Sequence, residues 1–276
     1  ATTTPPDALA SHCLRKGLLL IETTSDLPAI DRIAQALRSA PGEGTVVLGA
    51  GIFTGLSNLV AHAVTKAGGS VRLGIRSSPY SGAGKGTVSL MASALSTPAV
   101  SFAGGRRVEH PPISRGPTMT FLSASAPSLR IPLAESVMLP ASTKADQVDV
   151  YFSPKPSLLV YAFLLIPGFL LRARWFGRFM AAYFGLLRTV LLSGRASTTD
   201  LVAEGDRGRV QLSAADGMRA GGVAIAAIAC AAASSRRPGC VFVDEVVQLD
   251  DIVARMHAIE PSVVAIVKKF NDDGTS

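Results

Sequence analysis

Apolar positions in residues 7–76 follow two alternating rhythms. Residues 7–16 (DALASHCLRK) keep a helical spacing and stop at Gly17. Residues 18–24 (LLLIETT) form a short apolar run that reads as a buried strand. Ser25, Asp26 and Pro28 open a helix with Ile30, Ile33, Ala34 and Leu37 at i, i+3, i+4 and i+7, and Pro41-Gly42 ends it. Residues 45–49 (TVVLG) read as a second buried strand. Leu56, Leu59, Val60, Ala63, Val64 and Ala67 then mark a helical stripe that stops at Gly68-Gly69. In residues 70–76 Val71, Leu73 and Ile75 alternate with polar neighbours, as in a strand. This order of helix and strand predicts a parallel sheet covered by helices.

The middle of the chain is patterned differently. Ten prolines between residues 98 and 167 argue against long helices, and residues 118–123 and 148–152 are the strand candidates. Residues 198–214 read as a hairpin whose two runs meet at residues 205–208 (GDRG). A small-residue helix over 218–233, a strand over 239–243, an amphipathic helix around Val247–Met256 and a strand-like run over 263–270 complete the pattern.

Residues 157–193 are the most apolar stretch. Pro167-Gly168 and then Arg172, Arg174, Arg178 and Arg188 interrupt it before it reaches the ~20 apolar residues of a membrane span. It reads as a buried or interface-seeking helical pair, its arginines extending to water or to a lipid surface.

Composition narrows the class. Hydrophobic residues make up 48% of the 276 and charged residues 17%, which excludes a disordered chain. The formal net charge of +7 is spread in pairs such as Arg106-Arg107 and Lys268-Lys269, without the dense basic stripe of a nucleic-acid binder. An anionic cofactor or lipid surface suits it better. Cys13, Cys230 and Cys240 lack the CxxC spacing and are expected to be buried free thiols in a reducing, cytoplasmic setting, with room for contact with a membrane. His62 lies off the apolar stripe of its helix and reads as a surface histidine.

Two glycine clusters could approach a phosphate. Residues 49–55 (GAGIFTG) lie between a strand and a helix and fit a loosened G-x-G-x-x-x-G turn, and Arg76 at the end of the next strand could meet a 2′-phosphate. Residues 81–87 (SGAGKGT) miss the P-loop pattern, because Gly86 follows Lys85, but their backbone amides could hold an anion or a substrate carboxylate. No G-x-S-x-G, H-E-x-x-H or His/Cys ligand cluster is present.

The runs 49–64 (GAGIFTGLSNLVAHAV) and 81–95 (SGAGKGTVSLMASAL) together resemble the saccharopine dehydrogenase-like oxidoreductases. Gly51, Gly55, Leu56, Ser57, Asn58, Ser81, Gly82, Gly86 and Thr87 match the motifs of that family, and Thr54 stands where its proline is usual. Residues 13–26 look like the stretch that closes the family's nucleotide half, with Leu20 and Glu22 in place of its Tyr and first Asp. The resemblance implies an NAD(P)-dependent oxidoreductase, NADP being favoured, that acts on a small-molecule substrate. It also implies that the chain starts after the first βαβ unit, so that the dinucleotide site is incomplete within it. Residues 1–48 would be the tail of a Rossmann-like nucleotide-binding domain. Residues 49–276 would be a substrate-side α/β domain with a mixed sheet and covering helices, open to homodimer formation. Gly51, Gly55, Ser57 and Asn58 would line the cofactor side, and Gly84, Lys85, Gly86 and Thr87 the substrate side. No catalytic acid or base stands out. Two alternatives stay open: a non-catalytic protein of the lipid surface, and a complete NADP site at Gly49–Gly55 with Arg76.

Overall fold

The computed structural model describes residues 6–78, 97–168, 179, 182, 186, 198–263 and 266–270. The fold is mixed α/β, with one parallel sheet and one mixed sheet. The chain opens with α1 (Pro6–Arg15), β1 (Leu19–Glu22), α2 (Leu27–Leu37) and β2 (Thr45–Leu48). Asp26 caps α2 by accepting a hydrogen bond from the Ala29 amide at 3.1 Å, and Pro28 sits in its first turn, where a missing N–H costs nothing. β1 and β2 pair in parallel, and the apolar faces of α1 and α2 pack over them through Leu14, Ile30 and Ile33.

The third strand of this sheet comes from far along the chain. β11 (Gly239–Phe242) joins the other edge of β2, giving the order β1-β2-β11. The expected nucleotide-domain tail, residues 1–48, therefore holds two of its three strands.

β3 (Ser70–Ser77) leaves the parallel sheet that the element order of residues 7–76 predicts and belongs to the second, nine-stranded sheet, the mixed sheet expected within residues 49–276. The reason lies in its alternation. All four residues of β2 are buried, as in a strand covered on both faces, whereas β3 buries one face through Val71, Leu73 and Ile75 and sets Arg72 and Arg76 on the other. The remaining strands of the large sheet are β4 (Ala99–Ala103), β5 (Arg106–His110), β6 (Ser114–Thr120), β7 (Ser125–Arg130), β8 (Gln147–Pro154), β9 (Thr199–Gly205), β10 (Gly208–Ala214) and β12 (Ile266–Phe270). Their order is β12-β10-β9-β3-β8-β4-β5, with β7 pairing the far end of β8 and β6 pairing β7. β3 and β8 are the parallel pair within it. The β9–β10 hairpin turns where the glycines at 205 and 208 predict.

Helices cover one face of the large sheet: α3 (Ser57–Val64), α6 (Gly217–Ser234) and α7 (Leu249–Ile259) meet Leu73, Leu201 and Val150 in one core. On the other face the β6–β7 hairpin folds back, and Met119 and Phe121 pack with Tyr151 and Val202. Gly74 permits this approach: a Cβ there would lie 2.7 Å from Met119 Cε and 2.8 Å from Val202 Cγ1. The hairpin tip is tied down by Gln211 Nε2, which donates to Thr120 O at 3.0 Å.

Two further expectations change. The Pro-rich stretch holds a helix, α4 (Glu135–Thr143), with Pro140 inside it, as well as the unforeseen strands β4 and β5. Cys13 and Cys240 are buried free thiols, but Cys230 is exposed on α6. Of the apolar stretch 157–193, α5 (Leu158–Leu164) is described, and most of the remainder lies outside the described residues. Among the described residues α6 is long and apolar enough to cross a membrane, but Ala220, Ala224, Ala227 and Ile228 bury one side of it in the core.

Candidate functional site

Two buried polar clusters flank the core. The first surrounds the glycine turn after β2. Gly49 and Ala50 donate their amides to the Glu22 carbonyl at 3.1 and 3.0 Å, which ties the turn to the end of β1. Gly49 has φ +78°, and a Cβ there would stand 2.4 Å from both Met138 Cε and Thr54 O, so only glycine fits. Thr54 is itself left-handed at φ 62°, an uncommon state for a β-branched residue. Its amide donates to Glu135 Oε1 at 2.9 Å, and the Ser57 hydroxyl donates to the same oxygen at 2.8 Å.

Glu135 is fully enclosed in the first turn of α4. Burial raises its pKa, and the bonds from Thr54 and Ser57 offset this only in part, so the residue holds its proton above the ordinary carboxylate range. Oε1 accepts both hydrogen bonds, and Oε2 has no partner. Asn58 is equally buried, and neither Oδ1 nor Nδ2 of its amide is paired. Such orphans are rare enough to call for an explanation.

This turn does not build a pyrophosphate cradle. A dinucleotide fingerprint needs parallel strands on both sides of its helix, but β2 and β3 lie in different sheets. A Cβ on Gly55 would stand 3.2 Å from Gly49 O and 3.4 Å from Ile228 Cδ1, and one on Gly51 would stand 3.1 Å from Phe53 O. These two glycines therefore let the turn pack on itself. Arg76 is also occupied: its Nη1 donates to Ser123 Oγ at 2.6 Å and lies 3.8 Å from Asp200 Oδ2. These contacts give the glycines of the turn a structural role, beside the alternative of a complete NADP site at Gly49–Gly55 with Arg76. Asn58 is the residue of the turn with hydrogen bonds left to give.

The second cluster was not foreseen. Strand register places Ser213, Asp200, Arg76 and Ser153 side by side across β10, β9, β3 and β8, on the face covered by the hairpin. Lys155 follows Ser153 by two residues and so projects to the same side. The row lies at the carboxyl ends of the parallel pair β3 and β8, where open α/β sheets hold their ligands. Asp200 is fully buried at its centre. Its Oδ2 accepts from Ser123 Oγ at 2.6 Å and Lys155 Nζ at 2.9 Å, and its Oδ1 accepts from Ser213 Oγ at 2.6 Å. Burial alone would raise this carboxyl, but the bonds from Ser123, Ser213 and Lys155 outweigh it and hold the pKa below the usual range. Lys155 also donates to Thr198 O at 2.9 Å and to the Thr198 hydroxyl. Burial lowers its pKa, and Asp200 compensates only in part.

A third group is smaller. His62 Nδ1 lies 3.1 Å from Asp244 Oδ2, which also accepts from Ser142 Oγ at 2.5 Å. His62 is a half-exposed histidine as expected, but the hydrogen bond to Asp244 raises its pKa. Gly84, Lys85, Gly86 and Thr87 lie outside the described residues; in sequence they begin seven residues after β3 ends at Ser77.

Few signals marked the groups that were missed. Asp200 is a carboxylate in a strand otherwise buried and apolar at its centre, Lys155 stands between Pro154 and Pro156, and Glu135 interrupts an apolar run. None forms a recognisable motif, and the strand pairing that unites the row is not local.

No family model matches the chain, and no curated protein matches it. Among solved structures it is similar to apo saccharopine dehydrogenase (L-Glu forming) from Saccharomyces cerevisiae, with a TM-score of 0.48 at 10% identity. The alignment covers 95% of this chain and 82% of that one.

Proposed function

We propose that this chain acts as an NAD(P)-dependent oxidoreductase, as its sequence resemblance implies, with Lys155 as the group that gives and takes the proton. The observation that carries this reading is the half-buried Lys155 amine on Asp200 at the carboxyl ends of β3 and β8. Reducing a carbonyl or an imine adds a hydride at carbon and a proton at the heteroatom. A nicotinamide supplies the hydride when bound. This chain supplies the proton: the substrate heteroatom takes the place of the Thr198 hydroxyl on Lys155, and Asp200 keeps the ammonium in position. A lowered amine pKa eases the release of that proton. Gly84, Lys85, Gly86 and Thr87 are the proposed hold on the rest of the substrate. Asn58 is the proposed contact with the cofactor's amide, beside Ser57 and Gly51.

The test is NADPH oxidation with a panel of aldehydes, ketones and imines. Turnover is expected to fall at least about a hundredfold in Lys155→Met. Unchanged turnover in that variant would remove Lys155 from the chemistry. NADPH titration of this chain checks the cofactor side. Tight binding that Gly51→Trp abolishes would restore the glycine turn as a cofactor cradle.

A second reading, contact with an anionic lipid surface, rests on α5. Leu158, Tyr161 and Leu165 stand 73%, 51% and 81% exposed at helical spacing, and residues 157–193 carry four arginines and no carboxylate. Co-sedimentation with phosphatidylserine vesicles at low salt tests it, and protein left wholly in the supernatant would remove it.

A further inference from the structure

We propose that this protein docks on an anionic bilayer through α5, with the carboxyl ends of β3 and β8 turned to the lipid and Lys155 at the headgroup layer. The proposal deepens the lipid-surface reading by fixing which end of the molecule meets the bilayer, and so rests on it. α5 packs on β7 and β8, and Val160 is the side chain it buries. Among the described residues ten large apolar side chains stand exposed. Five of them, Leu158, Tyr161, Leu165, Phe179 and Leu186, lie between Asp149 and Asp200. Apolar exposure gathered in one segment marks a contact surface.

The charge of the same segment selects the partner. Between Asp149 and Asp200 the chain carries no carboxylate and six cations: Lys155, Arg172, Arg174, Arg178, Arg188 and Arg195. The formal net charge is +7, so the rest of the chain is close to neutral. A nucleic acid would leave the leucines unmatched, and an apolar protein face would leave the arginines unmatched. An anionic membrane surface answers both, with acyl chains for the leucines and acidic headgroups for the arginines. Position then fixes the orientation. Lys155 precedes Leu158 by three residues, at most about 11 Å of chain. An interfacial helix sinks its apolar face about 5–10 Å into the headgroup boundary, so the carboxyl end of β8 comes down with it. The segment also returns to this end, because Lys155 Nζ donates to Thr198 O at 2.9 Å. Lys66 and Lys144 precede β3 and β8 and mark the opposite end of the sheet.

Flotation of the intact chain with vesicles of phosphatidylcholine, alone or mixed with phosphatidylserine, tests the docking without any need for turnover. Binding to the mixed vesicles is expected at low salt, and about tenfold or more weaker binding to phosphatidylcholine alone. L158E and L165E together change side chains that are 73% and 81% exposed. The melting temperature of this double variant should hold, while its vesicle binding falls at least about tenfold. Leu9→Glu, at an exposed leucine of α1, should bind as the wild type does. Ser157 makes no capping bond through its side chain and so accepts a probe. A polarity-sensitive dye on Ser157→Cys, in a Cys230→Ser background, should shift to the blue on the mixed vesicles, and the same dye on Lys66→Cys should not. Equal binding to both vesicle types, unchanged binding in the double variant, an equal loss in Leu9→Glu, or a blue shift at Lys66→Cys in place of Ser157→Cys would each overturn the proposal. The two readings fail separately. Protein left wholly in solution removes the lipid surface altogether. Binding to the mixed vesicles that survives L158E and L165E, or that shifts the dye at Lys66→Cys, keeps the lipid contact and removes this docking.

Discussion

The two buried clusters handle their carboxyl groups in opposite ways. Burial pushes the Glu135 carboxyl towards its neutral form, and the residue serves as a post for the backbone of the glycine turn. Asp200 gives its proton up and is held as an anion between two cations and two serine hydroxyls. The first cluster is built from a stretch conspicuous in sequence, and the second from residues scattered over more than a hundred positions. The contrast teaches that the conspicuous glycines here shape a turn, while the charged groups free to act on a ligand stand in the strands behind it.

Four substitutions break or sharpen this contrast. Asp200→Asn should have the largest effect. It strands Lys155 and Arg76 without a counter-ion and should cost roughly 3–5 kcal/mol in denaturant midpoint analysis. Because the Asp200 pKa is lowered on folding, its contribution is present above the unfolded value of about 3.8 and is lost as pH falls through the folded one. Gly49→Ala comes next, at about 2–3 kcal/mol, from the left-handed backbone and the overlap with Met138 and Thr54 O. Thermal unfolding would show it, and a neutral result would mean that the turn can relax.

Glu135→Gln tests the uncharged state directly. The folded pKa of Glu135 is raised, so the wild type loses stability relative to the variant as pH rises above the unfolded value of about 4.5. The variant is therefore expected to match or exceed the wild type by about 1 kcal/mol at neutral pH. A large loss in Gln would mean that Glu135 is ionised. The smallest effect belongs to His62→Ala. The His62 pKa is raised, so its pairing with Asp244 stabilises below the unfolded value of about 6.5 and fades as pH rises through the folded one. At 42% side-chain exposure solvent screens the pair, and the difference between wild type and variant should stay under about 1 kcal/mol.

Much of the fold was legible in local patterning. The helix stripe at Ile30, Ile33 and Leu37, the buried run of β2 and the glycine-flanked β9–β10 hairpin all emerged as read. The assignment of β3 to another sheet was written in its alternation, but the order of neighbouring elements suggested otherwise. β5 hid because Arg106, Arg107 and Glu109 make it polar on both faces, as suits an exposed edge. The turn Gly49–Asn58 was visible as a motif, yet its buried partner Glu135 was not. The row around Asp200 was wholly hidden, because registers between distant strands leave no local trace.

The strand order of the small sheet bears on how the chain comes together during synthesis. β2 is the central strand, and its second neighbour, β11, is made only after β3 to β10. Until Gly239–Phe242 has left the ribosome, one edge of Val46, Val47 and Leu48 stays open, though these are among the most deeply buried residues of the finished protein. Every nascent chain thus passes through a stage with a sticky apolar strand edge on display. Truncation before Gly239 would make that stage permanent, and the product should aggregate even though the large sheet keeps all its strands but β12.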